Sequence, residues 1–181
     1  MRGFVQDIEE LAGENDHFRR VLYTAEHCQL VLMSLKASEA IGEEVHTLDQ
    51  FFRVEEGTGE AVLDGVRTSI RAGFAILVPA GTRHNIINTG ALPLKLYTIY
   101  SPPNHRDGVV HHTRIDADAD SEQFDGVTTE TRREIAASVH GESLERSRRE
   151  NGHARCTRAW MVTRGGRSAT VRPLSCFAMR D

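Results

Sequence analysis

The chain has 181 residues, of which 39% are hydrophobic, and it carries 22 Lys and Arg against 26 Asp and Glu. That length suits one compact core and excludes two sizeable domains. No apolar run reaches the roughly 18 residues that a membrane helix needs, and the first residues turn acidic before a signal-peptide core forms. We therefore expect a cytoplasmic protein with no membrane partner, and the widely spaced cysteines Cys28, Cys156 and Cys176 suit such a reducing compartment.

The charge of the chain is divided unevenly. Residues 1–130 hold 11 Lys and Arg against 21 Asp and Glu, a net charge of −10. Residues 131–181 hold 11 Arg against five acids, a net charge of +6. An acidic N-terminal part has little attraction to nucleic acid, so we expect no nucleic-acid partner.

Residues 1–16 are predicted to be a lead-in without strands. Stretches rich in β-forming residues then follow one another closely, and the Asp64-Gly65 pair between two of them indicates a tight hairpin. Many short strands with no long helical period between them predict an all-β fold, a single small jelly-roll barrel over residues 17–115. The predicted strands cover residues 18–24, 29–35, 50–55, 61–63, 66–70, 74–78, 84–88 and 95–101.

Two segments follow the predicted barrel. Residues 116–130 alternate acids with small residues and are expected to run along its outside. Residues 131–181 form a basic, Arg-rich tail with a helix indicated near 132–150 but no apolar stripe to dock it, so we expect a poorly ordered extension. Three interpretations of the tail stay open: an appendage without its own function, a nucleic-acid-binding arm, and an out-of-frame translation of a GC-rich gene.

One stretch of the chain carries a complete spaced motif. It reads Gly, five residues, Pro, any residue, Gly, two residues, His, three residues, Asn, at Gly73, Pro79, Gly81, His84 and Asn88. This pattern resembles the second motif of the cupin superfamily. The resemblance implies a small single-domain cupin with a metal pocket inside its barrel.

The first cupin motif is met only in part. That motif runs His, any residue, His, three or four residues, Glu, six residues, Gly. Here His46 stands at the second His, Gln50 at the Glu and Gly57 at the Gly, while Glu44 stands where the first His belongs. The fold is therefore well indicated and the chemistry is less so.

Strand geometry brings the candidate metal ligands together. Side chains two apart in a strand share a face, so Glu44, His46 and Gln50 can point one way and meet His84 from a partner strand. Two imidazoles, a carboxylate and an amide oxygen predict a divalent metal ion, and the absence of thiolates leaves Zn, Mn, Fe, Co and Ni open. Two alternatives remain: a bulge would put Glu43 in place of Glu44, and Gln50 would orient His46 or a water molecule instead of binding the ion.

Further residues are candidates for the wall and the chemistry of the pocket. The proposed catalytic acids or bases are Tyr97, Tyr100 and Glu43, with Asp49 as a further base. The two tyrosines have opposite parity on one strand, so at most one faces inward. The apolar wall is predicted to come from Phe52, Val54 and Ile86.

Five further polar residues complete the expectations. Arg83 or Lys95 is a candidate partner for a phosphate group. His105 follows two prolines and is expected to line the barrel mouth, while His111 and His112 are expected at the surface.

The ligand types suggest a reaction class. Two His, one Glu and one Gln are similar to the zinc site of the phosphomannose isomerases of the cupin superfamily, with the positions of Glu and Gln exchanged. The resemblance implies a metal-dependent isomerase that acts on a small-molecule substrate, a sugar or related carbonyl compound. The alternatives are an Fe, Mn or Ni dioxygenase, a noncatalytic small-ligand barrel, and lyase or cyclase chemistry. Small cupins often pair through their outer strands, so a homodimer is expected.

Overall fold

A computed structural model describes residues 3–138 of the chain. This part folds into two antiparallel β-sheets, with a short helix before the first strand, another after the last, and a further helical segment over residues 129–138. In chain order the elements are α1 (Ile8–Glu14), β1 (Arg19–Thr24), β2 (Gln29–Leu35), β3 (Asp49–Glu56), β4 (Thr58–Leu63), β5 (Val66–Arg71), β6 (Ala75–Val78), β7 (His84–Asn88), β8 (Leu94–Ser101), β9 (Val110–His111) and α2 (Arg114–Ala119).

The core forms where alternate residues of the two sheets meet. The larger sheet has the strand order β6-β3-β8-β2-β1-β9 and the smaller one β5-β4-β7. Phe52 and Val54 of the larger sheet belong to the same buried cluster as Ala61, Ile70 and Ile86 of the smaller one. Each large apolar side chain buried in this way contributes about 1.5–3 kcal/mol. The predicted all-β jelly-roll barrel is confirmed.

The strand predictions agree with the structure to within three residues at every end. The stretches 29–35 and 84–88 coincide with β2 and β7. The predicted hairpin joins β4 to β5, and its central residues Asp64 and Gly65 have φ of 46° and 82°. Both values lie in the left-handed region that a type I′ turn requires, which explains why this residue pair predicts the turn.

The lead-in contains a helix that the sequence interpretation missed. Helix α1 begins after Asp7, whose carboxylate accepts hydrogen bonds from the backbone N–H groups of Glu9 and Glu10. An aspartate followed three residues later by a glutamate is a helix-start signal, so the information was present. Short helices carry too little periodicity to be recognised from apolar spacing alone.

The acidic segment after the barrel is anchored to it. Thr129 Oγ1 accepts a hydrogen bond of 2.8 Å from the Thr24 backbone N–H and donates one of 2.5 Å to Asp107 Oδ1. Residues 129–138 are helical, so the helix indicated near 132–150 begins earlier than predicted. Residues 139–150 of the predicted helix and the predictions for the tail lie outside the described residues.

Two observations bear on the predicted partners. Within residues 3–138, no helix is long and apolar enough to cross a membrane. Val66 on β5 and Leu77 on β6 are each 67% exposed, and both strands lie at sheet edges. The homodimer through outer strands stays a prediction.

Candidate metal centre

Glu44 and His84 form the backbone frame of the site. Each donates its backbone N–H to the carbonyl of the other over 2.9 Å, which makes an isolated antiparallel bridge. Residues paired in this way present their side chains on the same face. His84 is also the first residue of β7 and pairs with Leu63 of β4, so its position is fixed from both sides.

His46 is positioned by a turn and not by a strand. The Gly81 N–H donates a 2.7 Å hydrogen bond to the His46 carbonyl. Gly81 has φ of 82°, a conformation that glycine adopts without strain, so the glycine of the motif lets the turn between β6 and β7 approach His46. His46 Nε2 lies 3.1 Å from Glu44 Oε2.

Gln50 presents its amide oxygen to His84. The residue lies on β3 and is 1% exposed. Its Nε2 donates a 3.1 Å hydrogen bond to Thr98 Oγ1 of the adjacent strand β8, and its Oε1 lies 3.0 Å from His84 Nε2. Thr98 therefore orients the amide.

The hydrogen bonds of His84 indicate which of its nitrogens is free to bind a metal. Nδ1 lies 3.1 Å from the Thr82 carbonyl, an acceptor, so Nδ1 carries the proton of the neutral ring and donates it. The bare Nε2 then faces Gln50 Oε1 at 3.0 Å and Glu44 Oε2 at 3.9 Å. Acceptor atoms that face one another repel unless a cation lies among them. The arrangement thus fits a divalent ion.

Three of the four predicted ligands form a metal-binding group within residues 3–138. One ligand atom from each of Glu44, His46 and His84 lies within 4.8 Å of the others. Gln50 adds the amide oxygen described above. Two imidazoles, a carboxylate and an amide oxygen suit Zn, Mn, Fe, Co and Ni alike.

Burial and charge prepare these groups for a cation. Burial alone would raise the pKa of Glu44, but the hydrogen bond and charge of His46, together with the charges of Arg19 and His84, outweigh it and lower that pKa. Burial lowers the pKa of His84, in spite of its hydrogen bond to Thr82. An ionised carboxylate and a neutral imidazole are the forms that bind metals.

The predicted apolar residues surround the ligands. Phe52, Val54 and Ile86 are fully buried. The Phe52 ring lies 6.2 Å from the His84 ring between centroids, so it packs against the imidazole. A low-polarity wall strengthens electrostatic interactions with any ion held here.

Tyr100 is the inward-facing tyrosine. It is 1% exposed and pairs across strands with Gln50. Its ring makes edge contacts with His46 at 5.9 Å and with His105 at 5.0 Å between centroids. Burial raises the pKa of Tyr100, so its hydroxyl stays protonated at neutral pH.

The other proposed acids and bases lie away from the ligands, which corrects those predictions. Tyr97 has the opposite parity on β8 and packs on Phe51, on the outer face of the sheet. Glu43 is 66% exposed and pairs with exposed Arg83 over 3.4 Å, because its neighbour Glu44 takes the inward direction. Asp49 accepts a hydrogen bond from the backbone of the β6–β7 turn.

Neither proposed phosphate partner faces the ligands. Arg83 lies outside with Glu43, as described above. Lys95 Nζ donates hydrogen bonds to the Asn15 carbonyl over 2.5 Å and to Asp16 Oδ1 over 2.8 Å, so it fastens the end of α1 to β8. The structure therefore assigns Lys95 a structural role.

A buried histidine and glutamate pair lies beyond Tyr100. His105 Nδ1 is 2.7 Å from Glu122 Oε1, and Glu122 also accepts the Arg106 backbone N–H over 2.7 Å. Burial lowers the pKa of His105, against the opposing effect of its hydrogen bond with Glu122. His105 was predicted at the barrel mouth, but no sequence signal indicated Glu122 as its partner.

A cleft of about 550 Å³ is lined by one residue from each of these two parts of the site. Its lining includes His46 on one side and Glu122 on the other, with Leu48, Pro103 and Phe124 among the remaining residues. Clefts of this size accept small molecules. The cleft therefore borders the metal group at His46 and the His105–Glu122 pair at Glu122.

Of the adjacent residues His111 and His112, both predicted at the surface, only His112 is exposed. His112 is exposed and its Nδ1 lies 3.0 Å from His17 Nδ1. His111 is buried and its Nε2 lies 3.2 Å from Asp120 Oδ2, which corrects its predicted surface position. It is buried because β9 pairs with β1 and turns His111 inward.

Asn88, the last residue of the complete motif, has a structural role. Its Nδ2 donates hydrogen bonds to the carbonyls of Leu35 and Leu92, and its Oδ1 accepts one from the Gly90 N–H. These bonds join the ends of β2 and β7 to the turn before β8. The motif thus combines one ligand, His84, with residues that hold the surrounding turns.

We expect the metal-free protein to lose stability as the pH falls below 6.5. His84 and His105 have lowered pKa values in the folded state, so each contributes stability that is present above the unfolded value of 6.5 and is lost as the pH falls through the folded pKa. The loss is at most about 1.4 kcal/mol per pH unit for each histidine. The measurement is urea unfolding after metal removal at several pH values between 5 and 7.5.

A pair of variants checks the origin of this pH dependence. His105→Gln is expected to flatten the curve, whereas His27→Gln, at a side chain that is 87% exposed, is expected to leave it unchanged. Equal stability of the unsubstituted protein at pH 7.5 and 5 would contradict the assignment.

Comparison with known proteins places the chain in a family. The model of the cupin domain matches residues 31–100. A protein of Acanthamoeba polyphaga mimivirus is 43% identical over 112 residues, which are 59% of this chain and 70% of that protein. The chain belongs to the cupin family.

Two bacterial proteins extend the comparison. YrkC of Bacillus subtilis is 46% identical over 121 residues, which are 63% of this chain. That match spans 65% of YrkC, just under two thirds of its length. The crystal structure of BH2720 from Bacillus halodurans superposes with a TM-score of 0.65 at 47% identity, covering 66% of this chain and 96% of that one.

Proposed function

We propose that this protein is a small metal-dependent enzyme of the isomerase type that moves a proton between neighbouring carbons of a carbonyl compound. One observation carries the proposal: a cleft is lined both by His46 of the metal group and by Glu122, whose carboxylate pairs with the buried His105. Isomerisation of this kind needs both an electrophile for the carbonyl and a base for the proton. The site offers groups suited to each.

The electrophile in this proposal would be a divalent ion held by four side chains. Glu44, His46, Gln50 and His84 would hold the divalent ion, which when bound polarises a substrate carbonyl. Thr82 fixes the tautomer of His84 through its carbonyl. Such supporting hydrogen bonds keep the ligand atoms oriented before the ion arrives.

The proton-transfer half of the site is His105 with Glu122. His105 is neutral because burial lowers its pKa, so it is able to accept a proton. Glu122 accepts a hydrogen bond from Nδ1 of His105. It would stabilise the imidazolium that forms when Nε2, which lies 3.4 Å from Asn104 Nδ2, takes up a second proton. Tyr100 lies between His105 and His46 and keeps its hydroxyl proton, so it serves as a hydrogen-bond donor.

A second function, a metal-dependent dioxygenase, is favoured by one feature. Glu44, His46 and His84 are two histidines and one carboxylate, the ligand set of many oxygen-activating iron sites. A dioxygenase reaction at this group assigns no role to the His105–Glu122 pair. We therefore rank it second.

Deuterium exchange distinguishes the proposed functions. Metal-loaded protein is incubated in D₂O with aldoses, ketoses, their phosphates and small oxo or hydroxy acids, and NMR follows the proton next to the carbonyl. We expect exchange with at least one of these compounds and none with metal-free protein. Oxygen uptake without exchange would favour the dioxygenase, and binding without either would indicate a noncatalytic barrel.

A further inference from the structure

A buried arginine lies beside the metal group. Arg19 is on the inward face of β1, in register with Met33 and His111, and its side chain is 10% exposed. Its charge acts on Glu44, Tyr100, His105 and Glu122. The guanidinium therefore belongs to the same interior as the metal group and the His105–Glu122 pair.

The hydrogen-bonding capacity of Arg19 is largely unused. Within residues 3–138 its Nε is buried without a hydrogen-bond partner. Its ion pair with Glu44 joins Nη2 to Oε1 over 3.8 Å, which is longer than a hydrogen bond. The guanidinium also lies over the Phe18 ring, 5.7 Å from its centroid. A buried cation that makes no close hydrogen bond is costly, so a position like this is more readily explained by a ligand than by stability.

The charges of the interior favour a single negative charge on that ligand. Glu44 binds a metal as the carboxylate, and Arg19 is always protonated. Burial alone would raise the pKa of Glu122, but its hydrogen bonds with His105 and the Arg106 backbone outweigh it and keep Glu122 ionised. With a divalent ion held by the ligands, the ion, Arg19, Glu44 and Glu122 together carry one net positive charge. A monoanion bound beside Arg19 would neutralise it.

The shape of the guanidinium favours a carboxylate. Its planar fork of N–H donors matches the two oxygens of a carboxylate. Phosphate monoesters carry close to two negative charges at neutral pH, more than this interior compensates. The other cations considered for a phosphate, Arg83 and Lys95, pair with Glu43 and Asp16 elsewhere.

We propose that Arg19 binds the carboxylate of the substrate, and that the compounds turned over at the metal group are small oxo or hydroxy acids. This inference rests on the proposed function, because it assigns the substrate class of the same site. Arg19 would hold the carboxylate while the carbonyl lies toward Glu44, His46 and His84.

Binding of small carboxylates to Mn²⁺-loaded protein tests this assignment. Titration calorimetry compares pyruvate, glycolate and lactate with methyl pyruvate, which lacks the charge. We expect at least one carboxylate to bind the unsubstituted protein and to bind Arg19→Met about 30-fold more weakly. Methyl pyruvate is expected to show no such difference.

Two further variants keep the result interpretable. Arg20→Met removes the neighbouring arginine, which is exposed on the opposite face, and is expected to leave carboxylate affinity unchanged. Arg19→Lys keeps the charge without the planar fork and is expected to weaken binding to an intermediate degree, which preserves the test if Arg19→Met does not fold.

Several outcomes would overturn the assignment. Equal carboxylate affinity in the Arg19→Met and unsubstituted proteins would do so, as would no carboxylate binding by the unsubstituted protein. A loss of Mn²⁺ from both Arg19 variants would show that Arg19 acts through Glu44 instead. Arg19-dependent binding without deuterium exchange would support the carboxylate site and reject the isomerase proposal, so the two failures are distinguishable.

Discussion

His84→Ala is expected to abolish metal binding. The imidazole is fully buried, and its bare Nε2 faces the oxygens of Gln50 and Glu44, so its removal takes away the central ligand of the group. We expect metal affinity to fall by at least about 100-fold, more than supporting residues typically contribute. The measurements are metal content by mass spectrometry after dialysis and the rise in Tm on metal addition, which the variant should lose.

Two other variants accompany this measurement. His27→Ala removes a histidine that is 87% exposed and should retain full metal content. Gln50→Leu is expected to lower metal affinity by about tenfold, because an amide is a weaker ligand than an imidazole. Full metal content in His84→Ala would show that the metal ion does not bind at this group of residues.

His105→Gln is expected to slow deuterium exchange by about 100-fold or more while metal content stays the same. The substitution keeps a polar side chain next to Tyr100 and Glu122 but removes the group that accepts the proton. Exchange rates by NMR and metal content are measured on the same samples. Because burial lowers the pKa of His105, exchange by the unsubstituted protein is expected to persist below pH 6.5 and to be lost only at more acidic pH.

A matched substitution separates proton transfer from folding. His112→Gln changes an exposed histidine in the same part of the chain and should leave exchange unaffected. Glu122→Gln keeps the shape of the partner but removes its charge, and is expected to reduce exchange less than His105→Gln does. Unchanged exchange in His105→Gln would assign the base to another residue.

Much of the fold could be predicted because its signals are local. Period-two alternation identifies the buried face of β3, where Gln50, Phe52 and Val54 all point inward. The Asp64-Gly65 turn and the glycine and proline of the complete motif depend on backbone conformations that few other residues adopt.

The convergence of the candidate metal ligands was predicted from the sequence, but the backbone geometry that brings them together differs in part from the one expected. Strand alternation was expected to align Glu44, His46 and Gln50. In the structure, Glu44 is in an isolated bridge and His46 lies outside any strand, before a bend that leads into β3. The side chains converge because the β6–β7 turn holds His46 and the bridge holds Glu44.

Two parts of the candidate site were not recognised from the sequence. Arg19 is in phase with the buried Val21, and a charged residue at an inward position is a signal that went unused. The pairing of His105 with Glu122 carries no such signal, because it depends on how the segment after the barrel returns across the cleft.

The sequence by itself determined the strands, their inward faces, the main turns and the residues able to bind a metal, since each depends on conformations and spacings within a few residues. Only the tertiary structure decided which inward faces meet. It placed Arg19 beside Glu44, put His105 and Glu122 together beyond Tyr100, and turned Glu43 and Tyr97 away. These outcomes depend on sheet order and register, which link residues that are distant along the chain and leave no local pattern.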